Sequence, residues 1–162
     1  MKYTKVRHLM KRKLYFGVII VMIPSMIALF AACSRDSYSS NGERIYFTAT
    51  SSSGESITPE GFTMMMHRIA CIDCHGQNGK GGTVYLMMQR FEVPDITWPE
   101  LIGEEHEGGG HEDHPPYTEV TLKQAIVQGV DPAGQPLDEF MPKWQISTQD
   151  LNDLVSYIKT LK

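Results

Sequence analysis

The stretch "ACIDCHGQNGKGG", residues 70–82, holds the side chains of this sequence that are best suited to chemistry. Cys71 and Cys74 are separated by two residues, and His75 follows directly. Two cysteines at this spacing are used in a disulfide, in half of a zinc site, or in the covalent attachment of haem. The adjacent histidine is typical of the third chemistry, because its imidazole can ligate the iron of a porphyrin that the two thiols hold.

A disulfide and a zinc site each account for fewer features of the sequence than covalent haem attachment does. A redox-active disulfide of the thioredoxin type is expected near a βαβ pattern, and none is visible. A structural zinc site needs four ligands, often from two cysteine pairs, whereas this chain has three cysteines in all. The sequence therefore favours one covalently bound haem, with thioether bonds from Cys71 and Cys74 and with His75 as an iron ligand.

An electron-transfer haem needs a second axial ligand, and a methionine sulfur in that position raises the reduction potential. Of the ten methionines, Met141 is the best candidate. It follows the Gly/Pro-rich stretch "GVDPAGQPLDEF" and precedes Pro142 and Trp144, so this loop could carry the sulfur to the far face of the haem. The other methionines lie in the N-terminal export segment, on the helix predicted just before the cysteine motif, or only 12 and 13 residues after His75.

The segment "EEHEGGGHEDHPP", residues 104–116, offers other ligands. Its histidines and acids could bind a divalent metal, or His106, His111 or His114 could take the place of Met141 on the iron. The three glycines give the backbone a freedom that disfavours a preformed site. We therefore expect a solvated loop.

The first 32 residues have the layout of an export signal or a membrane anchor. They contain six of the fifteen Lys and Arg and none of the nineteen Asp and Glu, and an uncharged run of 19 residues follows the basic end. The sequence "LFAAC" resembles a bacterial lipobox, which predicts lipidation of Cys33; the alternative is an uncleaved helix. In both cases residues 33–40 form a flexible tether, and the rest of the chain lies outside the cytoplasm at a membrane.

Apolar periodicity and capping residues predict helices, whereas strand signals are scarce. The predicted helices lie at about 42–48, from Pro59 into the cysteine motif, at 121–128, and from Ser147 to the end of the chain. Their predicted caps are Thr58, Thr121 and Ser147.

Four stretches, "GERIYF", "CIDCHGQNGKGG", "MPKW" and "STQDLNDLVSYIKTLK", together resemble a class I monohaem cytochrome c, with the domain at residues 41–162. The resemblance implies an all-α fold of about four helices around one haem c, with crossing N- and C-terminal helices and with His75 and Met141 as axial ligands. It also implies a proline carbonyl that bonds the proximal imidazole, for which Pro94 is the candidate. Trp144, beside the Met-Pro pair, is the first candidate for a haem neighbour.

The net charge of the chain limits the kinds of partner that it can bind. From Cys33 onward the chain has nine basic and nineteen acidic residues, a net charge of −10. Such a domain is unsuited to nucleic acid and suits a redox partner protein with a basic docking patch. The resemblance implies an electron carrier rather than an enzyme, and the N-terminal segment implies that this carrier is tethered to a membrane. The alternatives are a haem-binding subunit of a larger oxidase or reductase complex, and a haem-based sensor.

Overall fold

The computed structural model describes residues 37–60, 69–86, 88–103 and 114–162. The elements in chain order are α1 (Asn41–Thr48), β1 (Thr58–Pro59), α2 (Cys71–His75), β2 (Gly82–Leu86), β3 (Gln89–Val93), α3 (Trp98–Leu101), α4 (Glu119–Gln128), β4 (Trp144–Gln145) and α5 (Thr148–Ile158). The predicted export segment with Cys33, and residues 104–113 of the histidine-rich segment, lie outside the described residues. Within the ranges given above, no helix combines the length and apolar character needed to cross a membrane.

The first and last helices pack closely against each other, which confirms the predicted contact between them. Ile45 and Tyr46 of α1 are almost completely buried, and the ring of Tyr46 lies 5.3 Å from that of Tyr157. Gly42 permits this approach, because a Cβ atom there would lie 2.0 Å from the backbone oxygen of Asp153 on α5. The core around the pair is apolar, so burial of these faces stabilises the helices that position the site.

Two helix starts illustrate how local chemistry sets the boundaries. Ser147 caps α5 as predicted, since its Oγ accepts a hydrogen bond from the Asp150 N–H at 3.2 Å. The predicted start of α4 at Thr121 is wrong, because α4 begins at Glu119 with Thr118 as its cap. Thr118 Oγ1 accepts from the Thr121 N–H at 3.2 Å, and Thr121 Oγ1 accepts from the Thr118 N–H at 2.8 Å.

Short antiparallel strand pairs occur beside the helices, so the all-α prediction is not confirmed. β1 pairs with β4, with Pro59 opposite Trp144, and β2 pairs with β3 in a hairpin. The predicted helix start at Thr58 and Pro59 is wrong, because both residues are extended in β1. The N–H of Glu60 donates to the Lys143 carbonyl at 2.6 Å, which holds this segment beside the residues that follow Met141.

Candidate functional site

The cysteine motif forms a helix of its own, α2. The N–H of Ala70 donates to Asp73 Oδ2 at 2.8 Å where the helix begins, and the helix ends at Gly76. Cys74 and His75 follow Cys71 by three and four residues, respectively, so the three side chains project from the same side of one helical turn. Tyr46 Oη donates to the Gly76 carbonyl at 2.6 Å, which ties the end of α2 to α1.

A cavity of about 340 Å³ adjoins α2 and has a mainly apolar lining. Six of the residues predicted from the sequence line this cavity: Cys71, Cys74, His75, Pro94, Met141 and Trp144. The structure thus brings together residues from three separate stretches of the chain, at 71–75, 94 and 141–144. The seventh predicted residue, Cys33, lies outside the described residues. Among the other aromatic side chains, Tyr117 also lines the cavity, whereas Tyr85 is 72% exposed.

His75 is buried and held by a backbone carbonyl. Its side chain is 7% exposed, and its Nδ1 lies 3.1 Å from the Pro94 oxygen. Because a carbonyl can only accept, Nδ1 carries the proton and Nε2 keeps a free lone pair. Burial lowers the pKa of His75, while the Pro94 hydrogen bond and the Asp95 charge oppose that shift. The neutral imidazole with a fixed tautomer is the form that ligates a metal.

The two cysteines are free thiols in this structure. Burial raises the pKa of Cys71 to about 12; it also raises that of Cys74, to which the Asp73 charge contributes. Redox-active cysteines of the thioredoxin type have a lowered thiol pKa instead, because the thiolate is the attacking species. In the part of the chain that the structure describes, no three His, Cys, Asp or Glu side chains are grouped to hold a metal ion. The surroundings therefore disfavour a redox disulfide, and the described residues give a zinc site no further ligands.

Met141 lies in a turn that precedes β4. Its N–H donates to the Asp138 carbonyl at 2.9 Å, and the N–H of Phe140 donates to Asp138 Oδ1 at 2.9 Å. Pro142 and Trp144 are buried directly after it. This turn is the local structure that brings the thioether to the cavity lining.

The sequence reasoning missed three residues of this site. Phe91 and Phe140 line the cavity, and their ring centroids are 3.9 Å apart. Gly81 has a φ of +63° and lies so close to the end of β3 that a Cβ atom there would meet the Val93 oxygen at 2.1 Å and the Pro94 oxygen at 2.5 Å. The pair of glycines after Lys80 was an available signal for such a close approach.

Replacement of Gly81 by alanine should lower the free energy of unfolding by about 3 kcal/mol or more, because a left-handed residue and a backbone clash add together. Gly54→Ala is the matched control, since Gly54 has a φ of +87° with nothing within 4 Å of an added Cβ. The control should lose only about 1–2 kcal/mol. Denaturant unfolding of the purified variants gives both values. Equal losses would contradict the expectation that the close approach of Gly81 to the Val93 and Pro94 oxygens excludes a side chain there.

The donor set fits a haem. The two thiols that line the cavity would form thioether bonds with the two vinyl groups of a haem, and the imidazole of His75 and the thioether of Met141, in the same lining, would bind its iron. The apolar remainder of the lining suits the porphyrin ring, because burial of apolar surface is favourable.

The comparisons with known proteins agree with this fit. The sequence model described as Cytochrome c matches residues 39–162, a range that contains α2, Pro94 and Met141. No curated protein and no solved structure matches the chain. Because the matched range covers most of its length, this chain belongs to the cytochrome c family.

Proposed function

We propose that this protein is a one-electron carrier outside the cytoplasm, with a single haem c bound covalently to Cys71 and Cys74 and ligated by His75 and Met141. The observation that carries the proposal is the one cavity that all four side chains line. Membership of the cytochrome c family supports a haem-based electron carrier and covalently bound haem. The class I assignment and the single haem rest on the motif and its resemblance.

The residues of the chain have distinct tasks in this proposal. Cys71 and Cys74 hold the cofactor by thioether bonds, so that it is retained outside the cell interior. His75 presents Nε2 because its Nδ1–H is held by Pro94 at 3.1 Å. Haem, when bound, supplies an iron that changes oxidation state by one electron. Met141 and the apolar lining raise the reduction potential, because the thioether and a low-dielectric pocket favour the reduced state.

Trp144 has a supporting place beside these ligands. It is 7% exposed, lines the cavity, and is held in β4 by its pairing with Pro59. A large ring at this position excludes water from the cavity without adding a charge. We therefore assign to Trp144 the shielding of the haem.

The proposed location rests on the sequence. The basic and apolar blocks before Cys33 indicate export, and the lipobox-like "LFAAC" supports attachment to a membrane by lipid on Cys33, with an uncleaved helix as the alternative. Residues 1–36 lie outside the described part of the chain. Intact mass of the protein from membranes distinguishes the two anchors, since a lipidated Cys33 would be the first residue.

A redox titration followed by visible absorption tests the proposal against its rivals. An electron carrier should show a reversible transition of one electron, and its reduced form should not bind carbon monoxide, because both axial positions are filled. A haem-based sensor requires a position that opens, so prompt binding of carbon monoxide would favour that function instead. Stable co-purification with other redox chains would favour a subunit of a larger oxidase or reductase complex.

The acidic charge predicts how the protein meets its partners. Two exposed acids, Glu92 and Asp138, line the cavity beside Arg90, which pairs with Glu92, and the chain from Cys33 onward has a net charge of −10. A basic partner should therefore be attracted, with an attraction that weakens as salt rises because the Debye length falls to about 10 Å at 0.1 M.

Two small oxidants of opposite charge measure this effect. With rising salt, the oxidation rate by the tris(phenanthroline)cobalt(III) cation should fall, while the rate with ferricyanide should rise. Ferricyanide serves as the control for non-specific effects of salt. If neither oxidation rate changes with salt concentration, the electrostatic part of the proposal is wrong.

A further inference from the structure

Between His75 and its carbonyl partner Pro94, the chain makes an antiparallel hairpin. β2 and β3 pair over five residues, from Gly82 opposite Val93 to Leu86 opposite Gln89. The base of the hairpin is fixed beside the site, because Gly81 donates its N–H to the His75 carbonyl at 2.9 Å and Pro94 accepts from the His75 ring. β3 is therefore anchored to the side of the cavity that carries the cysteine motif.

The middle of β3 reaches the segment that carries Met141. Phe91 is partly buried and lines the cavity, and its ring centroid lies 3.9 Å from that of Phe140 with the planes tilted by 49°. Phe140 directly precedes Met141. This separation is shorter than the roughly 4.5–7 Å at which aromatic rings usually pair, so the two rings are in direct contact.

Met141 packs against the apolar core, and the residues after it are tied to β1, but the hydrogen bonds that form the Met141 turn itself are local. Phe140 and Met141 both donate their N–H groups to Asp138, which is two and three residues away. Single-turn hydrogen bonds of this kind are local and exposed to solvent, and such segments open at low free energy. The Phe91 ring instead connects the turn to an element that is fixed at His75.

We propose that Phe91 is a positioning residue: through its ring contact with Phe140 it holds Met141 at the cavity and keeps the second axial position closed. This inference rests on the proposed ligation by His75 and Met141. The hairpin thereby links the two ligand-bearing segments of the chain, so removal of the Phe91 ring increases the population in which Met141 has moved away.

The affinity of the oxidised haem-loaded protein for added imidazole measures that population. Imidazole binds only when the position of Met141 is vacant, so its apparent affinity is proportional to the open fraction. Phe91→Ala should raise the affinity about 10-fold, given the strength of an aromatic contact and the area lost with it. Phe91→Leu keeps an apolar side chain in case the alanine variant folds poorly, and it should give a smaller increase of the same sign.

Three comparisons separate positioning from a general loss of stability. Tyr85→Ala removes an aromatic ring from β2 of the same hairpin, where the side chain is 72% exposed, and should change imidazole affinity less than 2-fold. The Phe140→Ala variant should raise imidazole affinity as much as Phe91→Ala does. The double variant should have no higher affinity than either single variant, because both substitutions break the same contact. Phe91→Tyr, which keeps the ring, should behave as the unchanged protein.

The inference is overturned if Phe91→Ala leaves the affinity within 2-fold of the unchanged protein, or if the effects of the two phenylalanine substitutions multiply independently. Met141→Ala locates the fault. If Met141→Ala strongly raises imidazole affinity and Phe91→Ala does not, the positioning role fails and the proposed ligation stands. If Met141→Ala has no effect, the ligation itself fails, and the role of Phe91 fails with it.

Discussion

Substitution of both Cys71 and Cys74 by serine is expected to abolish covalent retention of haem. In the unchanged protein the haem should stay with the polypeptide through acidified organic solvent, because two thioether bonds hold it. The doubly substituted protein should release essentially all of its haem in the same extraction. Absorbance of the polypeptide and solvent fractions gives the partition, and each single variant should keep haem through the one remaining bond.

The third cysteine provides the matched control for this experiment. Cys33→Ser removes a thiol from the same chain, but from the predicted lipidation position, so haem retention should be unchanged. Covalent haem in the Cys71→Ser/Cys74→Ser protein would contradict the assignment. So would loss of haem in the Cys33→Ser protein, since that result would place Cys33 at the haem.

Replacement of Met141 by alanine has the second large effect. Loss of the thioether should remove the sulfur-to-iron charge-transfer band of the oxidised protein and open the reduced protein to carbon monoxide. The reduction potential should fall by on the order of 0.1 V or more, because axial ligands set haem potentials over a range of about 0.8 V. Visible spectra and a redox titration of the haem-loaded variant measure all three changes.

Met88→Ala is the control for Met141→Ala, because Met88 is 99% exposed on the hairpin and cannot serve from within the cavity. It should leave the band and the potential unchanged. A Met141→Ala protein that retains the band would contradict the assignment. A spectrum of two nitrogen ligands in the unchanged protein would instead favour His106, His111 or His114 of the histidine-rich segment.

The chemistry of the site was open to prediction because it depends on residue type and spacing. Cys71, Cys74 and His75 are recognisable as a set before any fold is known, since a single helical turn puts them on one side. Met141 was predicted as the second ligand from the Gly/Pro-rich composition of the loop before it. The structure adds what sequence spacing cannot give, namely that both segments line one cavity.

Other parts of the fold could not be read from the sequence, for identifiable physical reasons. The β2–β3 hairpin has alternating side chains but no Asn-Gly or Asp-Gly turn, and Met88 takes the left-handed φ of 67° that glycine or asparagine usually provides. Thr118 and Thr121 offer equivalent hydroxyls, so the sequence alone did not decide which one begins α4. Pro59 is typical of a first helical turn, but its pairing with Trp144 makes it extended.

The central claim is that one haem is joined to Cys71 and Cys74, and peptide mass spectrometry tests it most directly. Trypsin should release residues 69–80, "IACIDCHGQNGK", as one peptide from the purified protein. We predict that this peptide carries the added mass of one haem and that fragmentation assigns it to both cysteines. Recovery of the peptide with unmodified or disulfide-bonded cysteines, from protein made in a host that attaches haem c, would contradict the account.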